Sequence, residues 1–338
     1  MNEIENIEVE DGIEHRQSPD ATSTATRTPS VMTRFLLIGS ERSGSTMLRL
    51  MLDHHPDISC MYESDFMVQP YERFKSRPVS EYAQWLENDW HYTHSGLQFP
   101  EKAHSFEEVV TAWFQQREEQ TGLSTIGATI QHRFDLLPAL FPQARYVHLL
   151  RDGRPVAASA MNMGWVGNLY AGGLRWRRKI DEVFALQQKI QRDRWLEIKY
   201  EELLRNPVVR LTEICTFLGL EYDDAMLRYH QRSTYDVPDA ANADRWRTRL
   251  SPREIYMAEI GAGETLVRAG YQRMFPPAQL GLFERFAVWL DHRRRRAAFN
   301  FNRYGAYVMI ARKLWRLFGV RRPSLERRYR SIRDAHVK

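Results

Sequence analysis

Short apolar runs alternating with helix-like segments predict an α/β protein with a central, mostly parallel sheet flanked by helices. Three observations carry the prediction. Phe35-Leu36-Leu37-Ile38 runs into Gly39 as a buried strand does, and Arg145-Tyr146-Val147-His148-Leu149-Leu150 runs in the same way into Arg151-Asp152-Gly153. Trp195-Leu196-Glu197-Ile198-Lys199-Tyr200 then precedes a helix with Val208, Leu211, Ile214, Cys215 and Leu218 on one face and Gly219 near its end. Ligands of such sheets bind beyond the carboxyl ends of the strands. Chemistry is therefore expected at Gly39 to Thr46, at Glu63, at Arg151 and just after Tyr200.

Along the chain, residues 1–33 are rich in Ser, Thr, Pro, Asp and Glu without apolar periodicity and are expected to be disordered. Order should begin at Arg34. After the glycine- and serine-rich turn, Met47, Leu48, Leu50, Met51 and Leu52 belong to a short helix that Pro56 ends. Ile58 to Tyr62 reads as a strand ending at Glu63. Residues 66–125 form a largely helical, aromatic insertion with Trp85, Trp90 and Trp113 in packing roles. The catalytic domain is expected over 34–275 and a basic, amphipathic extension over 276–338.

The extension carries the chain's basicity. The formal net charge is +5, yet residues 291–338 alone hold 15 Lys or Arg against 3 Asp or Glu, so the rest of the chain is net negative. From Tyr304 to Phe318, apolar residues recur at helical spacing between arginine clusters. Packing against the body or a second copy of the chain is one use for such a helix; attachment to an anionic membrane surface is the other. Nucleic-acid binding would rest on this tail alone and is not expected, for lack of a recognition module. Two cysteines, Cys60 and Cys215, are too few for a disulfide framework and are expected as buried thiols in a reducing compartment. With an acidic N-terminus and no long apolar stretch, a cytoplasmic location follows, peripheral to the inner membrane surface if the tail binds lipid.

Gly39-Ser40-Glu41-Arg42-Ser43-Gly44-Ser45-Thr46 lies between strand and helix, where backbone N–H groups and a helix N-terminus converge on an anion. Its spacing matches G-x-x-x-x-G-K-[ST], but Ser45 takes the place of the lysine that reaches the β- and γ-phosphates, which argues against an ordinary kinase. A plain turn is the competing reading. Arg151-Asp152-Gly153-Arg154-Pro155, with Ser159 about two helical turns on, offers a second anion clamp. An Arg-Asp pair at a strand end is often only a structural ion pair. The two motifs together suit a nucleotide phosphorylated at both ends.

ERSGSTMLRLMLDHHPDISCMYES and YVHLLRDGRPVAAS resemble the two cofactor segments of the sulfotransferases that use 3′-phosphoadenosine 5′-phosphosulfate (PAPS), and YEELLRNPVVRLTEICTFLGLEY resembles the region after that family's third core strand. The resemblance spans about residues 34–275 and implies a P-loop-like sulfotransferase fold, with 3′,5′-ADP as product and no demand for a metal. By it, Arg42, Ser43, Gly44, Ser45 and Thr46 hold the 5′ end, Arg151 and Ser159 hold the 3′-phosphate, and Tyr200 lies at the nucleotide wall. Glu63 stands where the branch containing the tyrosylprotein sulfotransferases has its catalytic carboxylate. Glu63 is accordingly expected as general base and Arg42 as the group that stabilises the leaving oxygen.

One departure stands out. Many relatives carry a lysine ahead of the second motif, and here that stretch is Gly127-Ala128-Thr129-Ile130-Gln131-His132-Arg133, in which His132 or Arg133 is either a substitute for it or a structural residue. His91, His94 and His104 lack partners at metal spacing and read as surface histidines. MGWVGNLYAGGLRW, residues 163–176, reads either as a mobile acceptor-side loop or as ordinary turns and packing. Transfer of a sulfuryl group from PAPS to a hydroxyl or amine acceptor is the reading. A small-molecule kinase and a non-catalytic nucleotide-binding protein are the alternatives, and the acceptor itself is not legible.

Overall fold

The computed structural model describes residues 33–305 and 307–309. Five strands form one sheet in the order β2-β3-β1-β4-β5, all neighbours parallel. They are β1 (Thr33–Gly39), β2 (Ile58–Glu63), β3 (Thr125–Ile130), β4 (Arg145–Leu150) and β5 (Trp195–Lys199). The alternation of a strand sends Leu36 and Ile38 to one apolar cluster with Ile126, Ala128 and Ile130. It sends Phe35 and Leu37 to another with Val147, Leu149, Met51 and Leu211. Both faces are covered, which is why these strands read as apolar runs.

Four of the five strands fall where the apolar runs predict them. The fifth, β3, was not expected, although it is central and every residue in it is buried. Gly127 explains both facts. A Cβ there would come within 2.1 Å of the Phe35 ring, so the neighbouring strand's phenyl occupies the space that a side chain would fill. A strand written Thr-Ile-Gly-Ala-Thr-Ile loses its propensity signal to that packing.

The helix after β1 spans Ser45–Asp53, and helices fill most of the stretch between β2 and β3, the longest being Phe106–Thr121 with Trp113 buried at its core. Pro207–Leu218 buries Leu211, Ile214, Cys215 and Leu218 and ends on left-handed Gly219, φ 84°, but Val208 is exposed rather than on the packed face. Residues 169–176 are not a loop: they begin the helix Leu169–Gln187, capped by Asn168. Gly172 lies against Ala157 and Gly173 against the Ala258 carbonyl, so these glycines let three helices approach backbone to backbone. Both thiols are buried, with Cys60 pushed up to about 12 and Cys215 to about 11, mainly by burial.

A helix of the basic extension starts at Leu282 and ends at Tyr304, where the amphipathic segment was expected to begin. The remainder of that segment, beyond Met309, lies outside the described residues, as does the N-terminal tail through Met32. Among the described residues no helix is long and apolar enough to cross a membrane.

Candidate active site

At the carboxyl end of β1 the chain makes a tight loop in which Arg42 and Gly44 both adopt positive φ, 70° and 97°. Gly44 must be glycine twice over, since a Cβ would also strike the Tyr200 ring at 2.5 Å. The helix that follows has no capping side chain and no acid in its first turn, so its N–H groups stay available to an anion. The hydroxyls of Ser40 and Ser43 are buried without partners. Buried donors left unpaired are costly, and a phosphate-type oxygen in the loop satisfies them. The chain's own residues thus fit a phosphosulfate group here.

The second motif meets the first directly. Arg42 Nε donates to Ser159 Oγ at 3.0 Å, and Arg151 donates to the Arg42 carbonyl at 3.0 Å. The Arg151 guanidinium lies 4.0 Å above the Tyr200 ring. Arg42, assigned above to the 5′ end, therefore spans both anion segments. The structural ion pair is made by a different arginine of the same motif. Arg154, only 2% exposed, binds Asp152 at 2.6 Å and Glu259 at 2.8 Å, which frees Arg151 for the ligand side.

Glu63 is aimed by a local irregularity. The β2–β3 register slips between Met61 and Glu63, as one extra residue in a ladder re-directs the side chains that follow. Its Oε1 accepts from Gln131 Nε2 at 3.2 Å, and the same nitrogen reaches Ser45 Oγ at 3.0 Å. Its Oε2 lies 3.7 Å from His91 Nε2. Burial raises the Glu63 pKa above the ordinary carboxylate value, the Asp65 and Glu41 carboxylates push the same way, and His91 and His132 oppose them.

Both substitutes expected for the missing lysine are held by carboxylates, His132 by Glu41 of the loop itself. Register pairs Ile38 with Ile130, so the residue beside Gly39 is Gln131, a neutral amide. Arg133 turns away to Asp135 at 3.0 Å. His132 is clamped between Asp65 and Glu41, each at 3.1 Å, and Glu41 is also held by Arg175 at 2.8 Å. Burial lowers the His132 pKa, but hydrogen bonds and charge from the two carboxylates outweigh it and set it at about 9. The Glu41 carboxyl falls to about 2, since the His132 bond and the Arg175 and Lys179 charges overcome its desolvation.

All the expected site residues gather at one end of the sheet. Gln131 and His91 are the two that sequence reasoning missed. Recognising β3 would have found Gln131, at a strand's carboxyl end. His91 has no such signal: it arrives from the helical insertion, while His94 and His104 stay exposed as expected. Among the described residues no cluster of three His, Cys, Asp or Glu is placed to hold a metal.

Comparison with known proteins agrees with this geometry. The sequence model of a family described as "Sulfotransferase family" matches residues 35–224. The chain is 23% identical over 283 residues to "Protein-tyrosine sulfotransferase 2" of Gallus gallus, covering 75% of this chain and 74% of that protein. It is 24% identical over 282 residues to "Protein-tyrosine sulfotransferase 1" of Danio rerio, covering 76% and 77%. The solved sulfotransferase domain of the Synechococcus PCC 7002 olefin synthase shares the fold, with TM-score 0.55 at 24% identity over 77% of this chain and 99% of that one.

Proposed function

The chain belongs to the sulfotransferase family, and from that premise we propose that PAPS is its sulfuryl donor and Glu63 its general base. PAPS supplies an activated sulfuryl group and leaves as 3′,5′-ADP. The observation that carries the assignment is the placement of Glu63: a half-buried carboxylate bonded through Gln131 to Ser45 of the anion loop. A carboxylate whose pKa is raised takes a proton from a hydroxyl or amine better than an ordinary one does.

The other residues divide the remaining work. Ser40, Ser43 and the backbone of the loop bind the 5′ end, Arg151 and Ser159 bind the 3′-phosphate, and Tyr200 forms the wall between them. Arg42 supplies the charge that meets the leaving oxygen. Gln131 contributes a hydrogen-bond donor without charge where relatives have lysine, so electrostatic stabilisation falls more heavily on Arg42 and the backbone amides. Ser45 also tells against the kinase reading, since its hydroxyl is buried and committed to Gln131.

The test is product analysis with radiolabelled PAPS and a panel of phenols, alcohols and amines. Acceptor-dependent release of 3′,5′-ADP without ATP supports the reading. Release that requires ATP, or none with any acceptor, defeats it.

A further inference from the structure

The C-terminal helix Leu282–Tyr304 closes a cleft of about 500 Å³ against the helix Leu169–Gln187. It is fastened there. Asn168 donates to the Val288 carbonyl at 2.9 Å and to Asp291 at 3.0 Å, and the Gly167 N–H donates to His292 Nδ1 at 2.9 Å. Gly164 and Gly167 are glycines because Phe299 and the His292 backbone occupy the space of a Cβ, at 2.1 and 2.2 Å. The extension is therefore seated on the catalytic body at this point.

The inner end of the cleft reaches the anion loop at Glu41 and so borders the active site, although Glu63 is not part of its lining. Glu41 and His132 line it, and both act electrostatically on Glu63. Further out the lining is aromatic and mostly cationic, its carboxylate Glu182 being paired with Lys179 at 3.0 Å. Arg175 is used up by Glu41, but Arg178, Arg285 and Arg296 have no carboxylate partner among the described residues. Trp165 and Trp289 form the walls, with Arg175 lying 5.3 Å over the Trp165 ring. A concave site with apolar walls and a few convergent charges is what a small ligand requires, and its volume lies in the range of about 300 to 1,000 Å³ that such ligands fill.

Resting on the sulfotransferase reading, we propose that this cleft is the acceptor site. Its ligand is a small anionic acceptor with an aromatic or apolar body. The carboxylate or phosphate of that acceptor is held by Arg178, Arg285 and Arg296, and its hydroxyl points inward to Glu63. Unpaired guanidiniums on fixed helices favour an anion over a neutral isostere, and the two tryptophans favour a flat ring beside them. Two of the three arginines come from the C-terminal helix, which makes that helix a specificity element.

Calorimetry on the full chain saturated with 3′,5′-ADP tests this with three near-isosteric phenols: 4-hydroxyphenylacetate, tyrosol and tyramine. The anion should bind about tenfold or more tighter than neutral tyrosol, tyramine should bind weakest, and turnover should follow the same order. The triple variant Arg178→Ser, Arg285→Ser and Arg296→Ser should erase that preference and leave 3′,5′-ADP affinity unchanged. Equal binding of all three phenols, a preference that survives the triple variant, or binding of an acidic tyrosine peptide but of no small anion, each overturns the proposal. Failure of the wild-type chain to bind 3′,5′-ADP strikes the sulfotransferase reading beneath it, and so is told apart from those results.

Discussion

The nucleotide half and the acceptor half of this site are built by different means. The nucleotide half, as proposed, uses short segments that directly follow β1, β4 and β5, and it offers loop amides, buried hydroxyls and Arg151. The acceptor half, as proposed, draws Glu63 from β2, Gln131 from just beyond β3, His91 from the insertion, Arg178 from a long helix and Arg285 from the C-terminal helix. A site made from contiguous residues can be read as a motif. One made from scattered side chains depends on how the helices pack.

The largest effect that would break this division is at Glu63. Glu63→Gln keeps shape and hydrogen bonding but removes basicity, so turnover should fall by about 10² to 10⁴ while 3′,5′-ADP affinity stays nearly unchanged. Equal losses in both would move Glu63 into the nucleotide half. Steady-state kinetics beside calorimetry decides it.

Arg151 and Arg154 sharpen the contrast within one motif. Arg154→Met strands two buried carboxylates, Asp152 and Glu259, and should cost about 3 to 5 kcal/mol of stability in urea titrations. Arg151→Met should leave stability close to wild type. It should weaken 3′,5′-ADP by about tenfold or more while affecting adenosine 5′-phosphosulfate, which lacks the 3′-phosphate, far less.

Gln131→Lys tests the uncharged amide. A cation about 3 Å from Glu63 favours the carboxylate, so its pKa should drop by about 1 to 3 units. The acid limb of kcat/KM, which rises as Glu63 loses its proton, should shift to lower pH accordingly. An unmoved limb would mean that Glu63 is not the group titrating.

The smallest expected effect is in the Asp65–His132–Glu41 chain. His132 has its pKa raised in the fold to about 9 from an ordinary 6.5, so its charge contributes stability that is complete below about pH 6.5 and is lost as pH rises to about 9. Thermal melts of wild type should show that decline, and His132→Ala should flatten it.

How much of this the sequence carried follows from where each signal lives. The apolar runs of β1, β4 and β5 and the glycines of the first loop are local consequences of burial and backbone geometry, so strand ends, loop and Arg151 were all legible. Arg42 was placed correctly in the loop, but its reach to Ser159 depends on a left-handed backbone and a partner from another element. The strand β3 was hidden because Phe35 fills the space over Gly127. The glycines of 163–176 looked like loop chemistry because helix-to-helix contact demands the same small residues that a turn does.

By itself, then, the sequence determined the alternation of strand and helix, the turn after β1 and the pair of candidate anion segments, all of which rest on neighbouring residues and short-range sterics. Tertiary structure alone decided that Gln131 rather than His132 or Arg133 links Ser45 to Glu63, that His91 faces Glu63, and that the C-terminal helix walls a cationic cleft. Each of these depends on strand register or helix packing between residues distant along the chain, and composition, periodicity and motif spacing hold no record of such contacts.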